Sequence, residues 1–270
     1  AKADILPVII FALFVGAGII SVGGKRAETL ISFFDAFAEV CYKIIAMIMK
    51  TAPIGVFCLL LPVVVMNGPK VLLPLLSVII CMLIGCTIHA VCVYSAMTTV
   101  AAHMSPVTFF RGMSEAMAIA FTTCSSAGTL PVNMKNVQEK LGVHRDIASF
   151  VLPLGATINM DGTALYMGVC SIFIANVFGV PLTFDQMMMI VLTGTLASIG
   201  TAGVPGAGLI MLAMVLQSVG LPLEGLALVA GIDRVLDMFR TCLNITGDAA
   251  VAVVVNASEQ EVPSDIQITE

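Results

Sequence analysis

Residues 233–248 read DRVLDMFRTCLNITGD, and this stretch decides the fold class because it sets ionisable side chains in an apolar chain. At 100° per residue, six of its polar side chains fall within an arc of about 100° on one helix face. These six are Asp233, Asp237, Arg240, Thr241, Asn244 and Asp248. Such a face has to be kept away from lipid, which makes the surroundings of this helix the next question.

The composition is that of a membrane protein. Of the 270 residues, 59% are hydrophobic and only 11% are charged, whereas about 25% are charged in a typical soluble domain. Apolar runs at 5–22, 71–102 and 187–218 approach or exceed the roughly 20 residues that span a bilayer. The prediction is an all-α polytopic membrane protein. The net charge of −5 argues against a nucleic-acid partner.

Two smaller features are given their simplest interpretation. The eight cysteines include no C-x-x-C pair, which favours small buried hydrophobic residues over metal ligands or disulfides. His89 lies in an apolar run; a hydrogen-bonded histidine between packed helices is favoured there over a proton relay. The chain starts at Ala1 rather than Met, so further residues are expected upstream.

The first hundred residues read as successive spans. After the segment 5–22, a helical stretch is predicted over 30–66, with kinks at Pro53 and Pro62. A turn is predicted at Asn67-Gly68-Pro69, followed by a span over 71–102.

From Ser105 onward, interruptions recur in a regular order. Two segments read as hairpins that enter the membrane without crossing it, with tips at 122–131 and 198–208, rich in small and hydroxylated residues. Each hairpin precedes a span broken by a polar cluster, at 159–163 and at 244–248. Repeated interrupted segments indicate the binding site of a transporter. The predicted fold therefore has two re-entrant helical hairpins and two broken transmembrane helices in an inverted-repeat core.

Loop charges predict the orientation. Bases flank the first hairpin, whereas the loop at 179–186 has one acid and no base. Those bases are Arg111, Lys135, Lys140 and Arg145. By the positive-inside rule the first hairpin opens from the cytoplasm, the second opens from outside, and the carboxyl terminus is cytoplasmic. The acidic tail at 257–270 is predicted to be disordered.

The polar face of 233–248 has the chemistry of a substrate site. A charge at the bilayer midplane costs about 2.5–3.5 kcal/mol by insertion assay and more by simulation, so these side chains must line a polar cavity or pair with one another. Arg240 offers a planar fork for a carboxylate, and Asp237 can accept from an ammonium. Thr241 and Asn244 supply neutral partners. Together they suit an acidic amino acid.

Two further positions suit a hard cation. Asp248 follows Gly247, where the helix is expected to loosen and free backbone carbonyls for an oxygen cage. Asp161, with Asn159 and carbonyls near Gly155 and Thr157, is a second candidate. The second hairpin tip adds Ser198 and Thr201, and its glycines allow it to move as a gate.

Three long motifs resemble those of the dicarboxylate/amino acid:cation symporter family: SFVLPLGATINMDGTALY at 149–166, SIGTAGVPGAG at 198–208 and DMFRTCLNITGD at 237–248. The resemblance covers nearly the whole chain and is nearest to prokaryotic sodium/aspartate symporters. It implies sodium-coupled, elevator-like symport of aspartate or glutamate by a homotrimer in the cell membrane. Residues 1–66 would be the remnant of the scaffold domain and 67–256 most of the transport domain.

The resemblance also implies a role for each site residue. Arg240, with Thr163, would hold the side-chain carboxylate, Asp237 the α-amino group, and Asn244, Thr241 and Ser126 the α-carboxylate; Gly203 and Val204 would complete the substrate site. One sodium ion would bind Asp248, Asn244, Asn159 and the Gly155 carbonyl. A second would bind Thr157, Ser198, Ile199 and Thr201. A third would bind Asn159 and Asp161, together with earlier helices of the family that this chain lacks.

Three positions depart from the family pattern. Cys124 and Met238 stand where prokaryotic and animal relatives, respectively, place an arginine. Met167 stands where animal glutamate transporters have a proton-carrying glutamate, which argues against proton and potassium coupling.

Rival functions fit the sequence less well. An intramembrane aspartyl protease needs G-x-G-D, and Asp248 is preceded by Ile245-Thr246-Gly247. A serine protease needs a base beside Ser125 or Ser126, and none is evident, so the chain is predicted not to be an enzyme. A receptor or passive channel stays open until uptake is measured. Within the family, the alternatives are proton coupling, a neutral amino acid carrier and a dicarboxylate carrier.

Overall fold

The computed structural model describes residues 5–51, 54, 57, 58, 61, 65, 72–199 and 201–261, and all regular structure in these residues is helical. Two helices come first: α1 (Ile5–Val22) and α2 (Gly24–Met49). The helix α3 (Leu72–His89) continues into two π-helical turns, Ala90–Tyr94 and Met97–Ala101. The remaining helices are α4 (Pro106–Thr123), α5 (Ser126–Glu139), α6 (Arg145–Ile158), α7 (Asp161–Val177), α8 (Phe184–Ile199), α9 (Ala207–Ser218), α10 (Gly225–Ala230) and α11 (Asp233–Glu261).

The predicted spans agree with the helices to different degrees. The segment 5–22 coincides with α1, and 71–102 corresponds to α3 and its π-helical turns. The prediction of a helix over 30–66 was wrong at its start, because α2 begins directly after Gly23, at Gly24, and Lys50 and Thr51 form a turn after Met49. Pro53, Pro62 and Asn67-Gly68-Pro69 lie outside the described residues.

Several helices have the length and composition of membrane spans. Among the described helices, the runs Leu73–Ala101, Arg145–Val177 and Asp233–Glu259 are long and apolar enough to cross a bilayer. Large apolar side chains lie on the outer surface, such as Phe150 at 70% and Ile210 at 66% exposed. Exposed Cys81 and Cys92 belong to the same outer surface of the α3 run, whereas Cys86, Cys124 and Cys170 are buried as predicted. This distribution is that of a protein whose solvent is lipid.

Two pairs of consecutive helices pack against each other, α4 with α5 and α8 with α9. The first pair is separated by Cys124, in the left-handed region with φ of 53°, and by Ser125, whose hydroxyl caps α5 by accepting from the Gly128 N–H. The predicted tip at 122–131 was therefore too wide. Pro131 lies inside α5, where a proline removes one hydrogen bond without ending the helix.

Of the two predicted helix breaks, the structure contains one. The chain leaves helical geometry at Asn159 and Met160, between α6 and α7. The break predicted at 244–248 was wrong, because α11 continues through these residues as an α-helix. A glycine inside a helix costs only about 1 kcal/mol, and Gly247 has a packing reason: a Cβ there would lie 2.6 Å from the Tyr94 hydroxyl and 2.9 Å from the Asn159 amide nitrogen.

The helix α11 occupies the middle of the bundle and contacts α3, α4, α5, α6 and α7. Its apolar side chains, including Leu236 and Ile245, join a core with Phe109, Met113 and Leu152. All six residues of its polar face are buried, from Asp248 at 1% to Asp233 at 7% exposed. The prediction that this face turns away from lipid is confirmed.

Candidate functional site

The first helix-pair tip, the second tip and the end of α6 meet at one point. The Gly203 carbonyl of the second tip accepts from the Ala127 N–H at 3.2 Å and from the Ser125 hydroxyl at 3.1 Å. A Cβ at Gly203 would lie 3.0 Å from the Ala156 carbonyl oxygen and 3.1 Å from Ser126 Cβ. The glycine is required here because the backbones approach this closely.

Beneath this junction lies a small cavity, and all eight predicted substrate residues line it. These are Ser126, Thr163, Gly203, Val204, Asp237, Arg240, Thr241 and Asn244. Sequence reasoning missed further lining residues: Cys124, Met160, Ala202 and Gly208, together with Thr201, which was assigned to a cation. The space available to the centre of a water-sized sphere is about 10 Å³, roughly what a single water requires.

An ion pair dominates the electrostatics of the cavity. Arg240 Nη2 lies 2.8 Å from Asp237 Oδ1, and Arg240 Nε donates to the same oxygen at 3.1 Å. Both residues are 3% exposed. Taking two charges out of water is costly, and an intramembrane pair of this kind is a functional candidate by default.

Further contacts fix the Arg240 guanidinium from other sides. Its Nη1 is 3.8 Å from Asp233 Oδ1, and its Cζ lies 4.5 Å from the centre of the Tyr166 ring, a cation–π distance. A Cβ at Gly208 would overlap the guanidinium. Tyr166 was missed from the sequence, although it follows Thr163 by three residues and so shares its face of α7.

The Asp237 carboxylate accepts on both oxygens. Besides Arg240, its Oδ1 accepts from the Thr241 hydroxyl at 3.0 Å, and its Oδ2 accepts from the Gly206 N–H at 3.0 Å. The last bond ties the second tip to α11. Any ligand that binds Asp237 therefore competes with the closure of this tip.

The helix break at Asn159 and Met160 is fastened to α11 by Asn244. Asn244 Oδ1 accepts from the Gly162 N–H at 2.8 Å, and its amide nitrogen lies 3.3 Å from the Thr163 hydroxyl and 3.1 Å from Met160 Sδ. A Cβ at Gly162 would lie 2.5 Å from the Arg240 carbonyl oxygen. The small residue lets α7 begin directly against the arginine.

The residues predicted for the first cation gather around Asp248. Asn159 Nδ2 donates to Asp248 Oδ1 at 2.9 Å, and a Cβ on Gly155 would lie 2.5 Å from that oxygen. The Gly155 carbonyl accepts from the Asn159 N–H at 2.8 Å. The polar contacts of Asn244 are all with α7 and Met160, on the substrate side of the break.

The residues predicted for the second cation lie where α6 and α8 come into contact. Thr157 and Ile199 are exposed, and Ser198 and Thr201 are buried at 4% each. All three hydroxyl groups donate to backbone carbonyls of their own helical turns, at Leu154, Thr195 and Ala197. What this region offers to a further ligand is chiefly backbone carbonyl oxygen.

Asp161, predicted for the third cation, has two partners on the α3 side. The Tyr94 hydroxyl donates to Asp161 Oδ2 at 2.9 Å, and His89 Nε2 lies 3.2 Å from the same oxygen. His89 is therefore hydrogen-bonded between helices, as favoured from the sequence, but its partner is itself a candidate ligand. Among the described residues, no three His, Cys, Asp or Glu side chains are grouped as for a transition-metal ion; the donors here are oxygens, which hard cations prefer.

Comparison with known proteins identifies the family. The sequence profile of the sodium:dicarboxylate symporter family matches residues 1–258. This chain belongs to that family. Because the match extends over nearly the whole chain, the cavity described above lies within the conserved unit of a symporter.

Named relatives of this symporter come from animals and bacteria. It is 39% identical over 254 residues to an excitatory amino acid transporter of Caenorhabditis elegans, covering 93% of this chain and 50% of the relative. It is 39% identical to human excitatory amino acid transporter 2, covering 88% and 42%, and 36% identical to the proton/glutamate-aspartate symporter of Escherichia coli, covering 94% and 58%. The chain thus spans about half the length of these relatives. Identities this similar do not distinguish a prokaryotic from an animal subgroup.

The family places this symporter among membrane transporters rather than enzymes. Two sequence predictions are confirmed by this result, the family itself and the assignment to a non-enzyme.

Proposed function

We propose that the chain carries the substrate- and cation-binding part of a sodium-coupled symporter for an acidic amino acid, aspartate or glutamate. The observation that supports this best is the buried Arg240–Asp237 pair, which lines a cavity under two helix-pair tips. Relatives named as transporters of glutamate and aspartate support the same substrate class.

An acidic amino acid suits this pair because it exchanges one set of ion pairs for another. Its side-chain carboxylate takes the Arg240 fork, and its ammonium takes the Asp237 oxygen that Arg240 occupies in the structure. No buried charge is then left unpaired, which would cost several kcal/mol. A neutral amino acid leaves Arg240 without a carboxylate, and a plain dicarboxylate leaves Asp237 without a donor.

Binding requires the cavity to open. Space for about one water molecule does not admit an amino acid, and the second tip is held over the cavity by the bond from Gly206 N–H to Asp237 Oδ2. In our proposal the substrate breaks this bond, the tip moves as a gate, and the loaded unit moves in an alternating-access, elevator-like cycle.

Cations complete the charge balance. Four carboxylates face one guanidinium in this region, namely those of Asp161, Asp233, Asp237 and Asp248 against Arg240. Unpaired charges in the membrane interior are costly, and bound sodium ions compensate for this excess. Asp248, Asn159 and the Gly155 carbonyl are proposed for one ion, with Asn244 linking it to the substrate. Thr157, Ser198, Ile199 and Thr201 are proposed for another, and Asp161 with Asn159 for a third.

Proton coupling is the second candidate, because the E. coli relative is named as a proton symporter. Met167 argues against it in this chain: the side chain is fully buried, has no ionisable group and stands where the family resemblance places a proton carrier.

The larger assembly follows the same proposal. Residues 1–66 belong to a scaffold domain of a homotrimer and 67–256 to the mobile transport domain, with 257–270 as a disordered tail. The pairs α4–α5 and α8–α9 are the re-entrant hairpins of an inverted repeat. The protein lies in the cell membrane with its carboxyl terminus in the cytoplasm.

The deciding experiment measures radiolabelled aspartate uptake by the full-length protein in proteoliposomes, with an inward sodium gradient or with choline in its place. Uptake is expected only with sodium, competed by glutamate and not by alanine. Uptake that follows a pH gradient in choline supports proton coupling instead. Binding of aspartate with no uptake under any gradient contradicts a symporter and supports a receptor.

A further inference from the structure

The end of the α3 run carries a buried tyrosine whose hydroxyl reaches two other helices. Tyr94 is 1% exposed and closes the π-helical turn Ala90–Tyr94. Its hydroxyl lies 2.9 Å from Asp161 Oδ2, at the start of α7, and 3.2 Å from the Leu243 carbonyl oxygen on α11. Such π-helical turns occur frequently at functional sites. This one places a single polar atom where three elements meet.

The hydroxyl has one proton and therefore donates to one of its two acceptors at a time. Asp161 Oδ2 is nearer and, when ionised, forms the stronger hydrogen bond. The Leu243 carbonyl lies in the middle of α11, where helix geometry supplies it with a backbone N–H four residues later. The Asp161 carboxylate is therefore the acceptor that needs the tyrosine.

The partners of Asp161 all contact one of its two oxygens. His89 Nε2 lies 3.2 Å from Oδ2, the oxygen that Tyr94 also contacts. The His89 and Tyr94 rings pack edge to face, with their centres 5.1 Å apart. The carboxylate is thus held through Oδ2, which leaves Oδ1 to another ligand.

The position of the hydroxyl depends on the missing side chain of Gly247. A Cβ at this residue would lie 2.6 Å from the Tyr94 hydroxyl and 2.9 Å from Asn159 Nδ2, the atom that donates to Asp248. One glycine of α11 therefore accommodates the supports of both Asp161 and Asp248.

We propose that Tyr94 is a positioning residue for Asp161: its hydroxyl holds Oδ2, so that Oδ1 is presented to a sodium ion, and ties the carboxylate to α11. This inference rests on the proposed sodium coupling. Groups that hydrogen-bond a ligating carboxylate orient it, and removing one of them typically lowers metal affinity 10- to 100-fold.

The test variant is Tyr94→Phe, which removes the hydroxyl and keeps the ring. In the full-length protein without aspartate, the sodium concentration for half-maximal thermal stabilisation is expected to rise about 10- to 100-fold. Aspartate affinity at saturating sodium is expected to stay at the wild-type value, because Tyr94 is not among the residues that line the cavity. Unchanged sodium dependence in Tyr94→Phe, with sodium stabilising the wild type, overturns the positioning role and leaves sodium coupling intact.

The matched control is Thr98→Val. Thr98 is fully buried in the next π-helical turn, and its hydroxyl donates to the Tyr94 carbonyl at 2.8 Å. It tests whether loss of any buried hydroxyl in this region weakens sodium binding, and wild-type sodium dependence is expected. A shift equal to that of Tyr94→Phe contradicts a specific role for Tyr94.

A second measurement needs no sodium. Unfolding midpoints of wild type, Tyr94→Phe, Asp161→Ala and the double variant are compared in choline buffer. The effect of Tyr94→Phe is expected to be smaller in the Asp161→Ala background, because the hydroxyl has lost its acceptor. Additive effects overturn the proposal. If sodium does not stabilise the wild type, the proposed sodium coupling fails, and this comparison alone decides whether Tyr94 holds Asp161.

Discussion

At the scale of single residues, the site consists of charges whose partners are all protein groups. Arg240 is held by Asp237, Asp233 and the Tyr166 ring, and Asp237 is held from both of its oxygens. Breaking one member of such a buried network leaves another charge unpaired, which costs more than the net value of the bond. Substitutions at these positions therefore report on specificity, provided that an exposed neighbour is changed in parallel.

The first prediction concerns the substrate carboxylate. In Arg240→Cys, aspartate affinity is expected to fall by a factor of about 30 or more, because truncating a buried, hydrogen-bonded charge pair costs 2–5 kcal/mol. A neutral amino acid such as serine or alanine may then enter the site, which titration calorimetry detects directly. The control is Arg234→Cys, an exposed arginine on the same helix whose guanidinium reaches only the Thr123 carbonyl, at 3.4 Å. Undiminished aspartate affinity in Arg240→Cys removes the assignment.

The second prediction separates the amine from the carboxylates. Asp237→Asn is expected to weaken aspartate far more than succinate, because only aspartate carries an ammonium that pairs with this carboxylate. Calorimetric titration of both ligands into the same preparation gives the ratio. Equal losses for the two ligands show that Asp237 acts only by holding Arg240.

At the scale of elements, glycines on α11 and α7 with different surroundings make a direct comparison possible. Gly247 of α11 is enclosed by Tyr94 and Asn159, whereas a Cβ at Gly168 of α7 meets nothing within 4 Å. The lack of a break at Gly247 means that this residue was selected for close approach and not for flexibility.

The third prediction follows from that comparison. Gly247→Ala is expected to lower the unfolding midpoint and to weaken sodium binding, since its methyl group displaces the Tyr94 hydroxyl and the Asn159 amide. Gly168→Ala is expected to be neutral or stabilising by up to about 1 kcal/mol, the difference in helix propensity. Thermal unfolding of both variants with and without sodium tests this. A neutral Gly247→Ala means that the two side chains move aside without cost.

At the scale of the whole molecule, the cation and substrate sites are joined through the α6–α7 break. Asn159 binds Asp248 on one side of it, and Asn244 holds Gly162 and Thr163 on the other. Two ligands that order the same segment raise each other's affinity by the same factor. Coupling in this protein is therefore expected to be a property of the break and not of either site alone.

The fourth prediction tests this coupling. In the wild type, sodium is expected to raise aspartate affinity about 5- to 150-fold, the usual range of such coupling. In Asp248→Asn, sodium affinity is expected to fall and aspartate affinity to become nearly independent of sodium. The measurement is aspartate titration at a series of sodium concentrations with choline keeping ionic strength constant. Aspartate affinity that does not change between sodium and choline in the wild type contradicts sodium coupling.

The sequence by itself determined the fold class, the polar face of α11 and the family, because these depend on composition, helical periodicity and motif. It also placed all eight substrate candidates that line one cavity, although they come from four separate segments. It could not determine that α11 stays helical through Gly247, because a glycine signals a break and a close approach with the same letter. Nor could it pair Tyr94 and His89 with Asp161 or put Tyr166 under Arg240, since those partners lie on different helices and meet only when the bundle packs around α11.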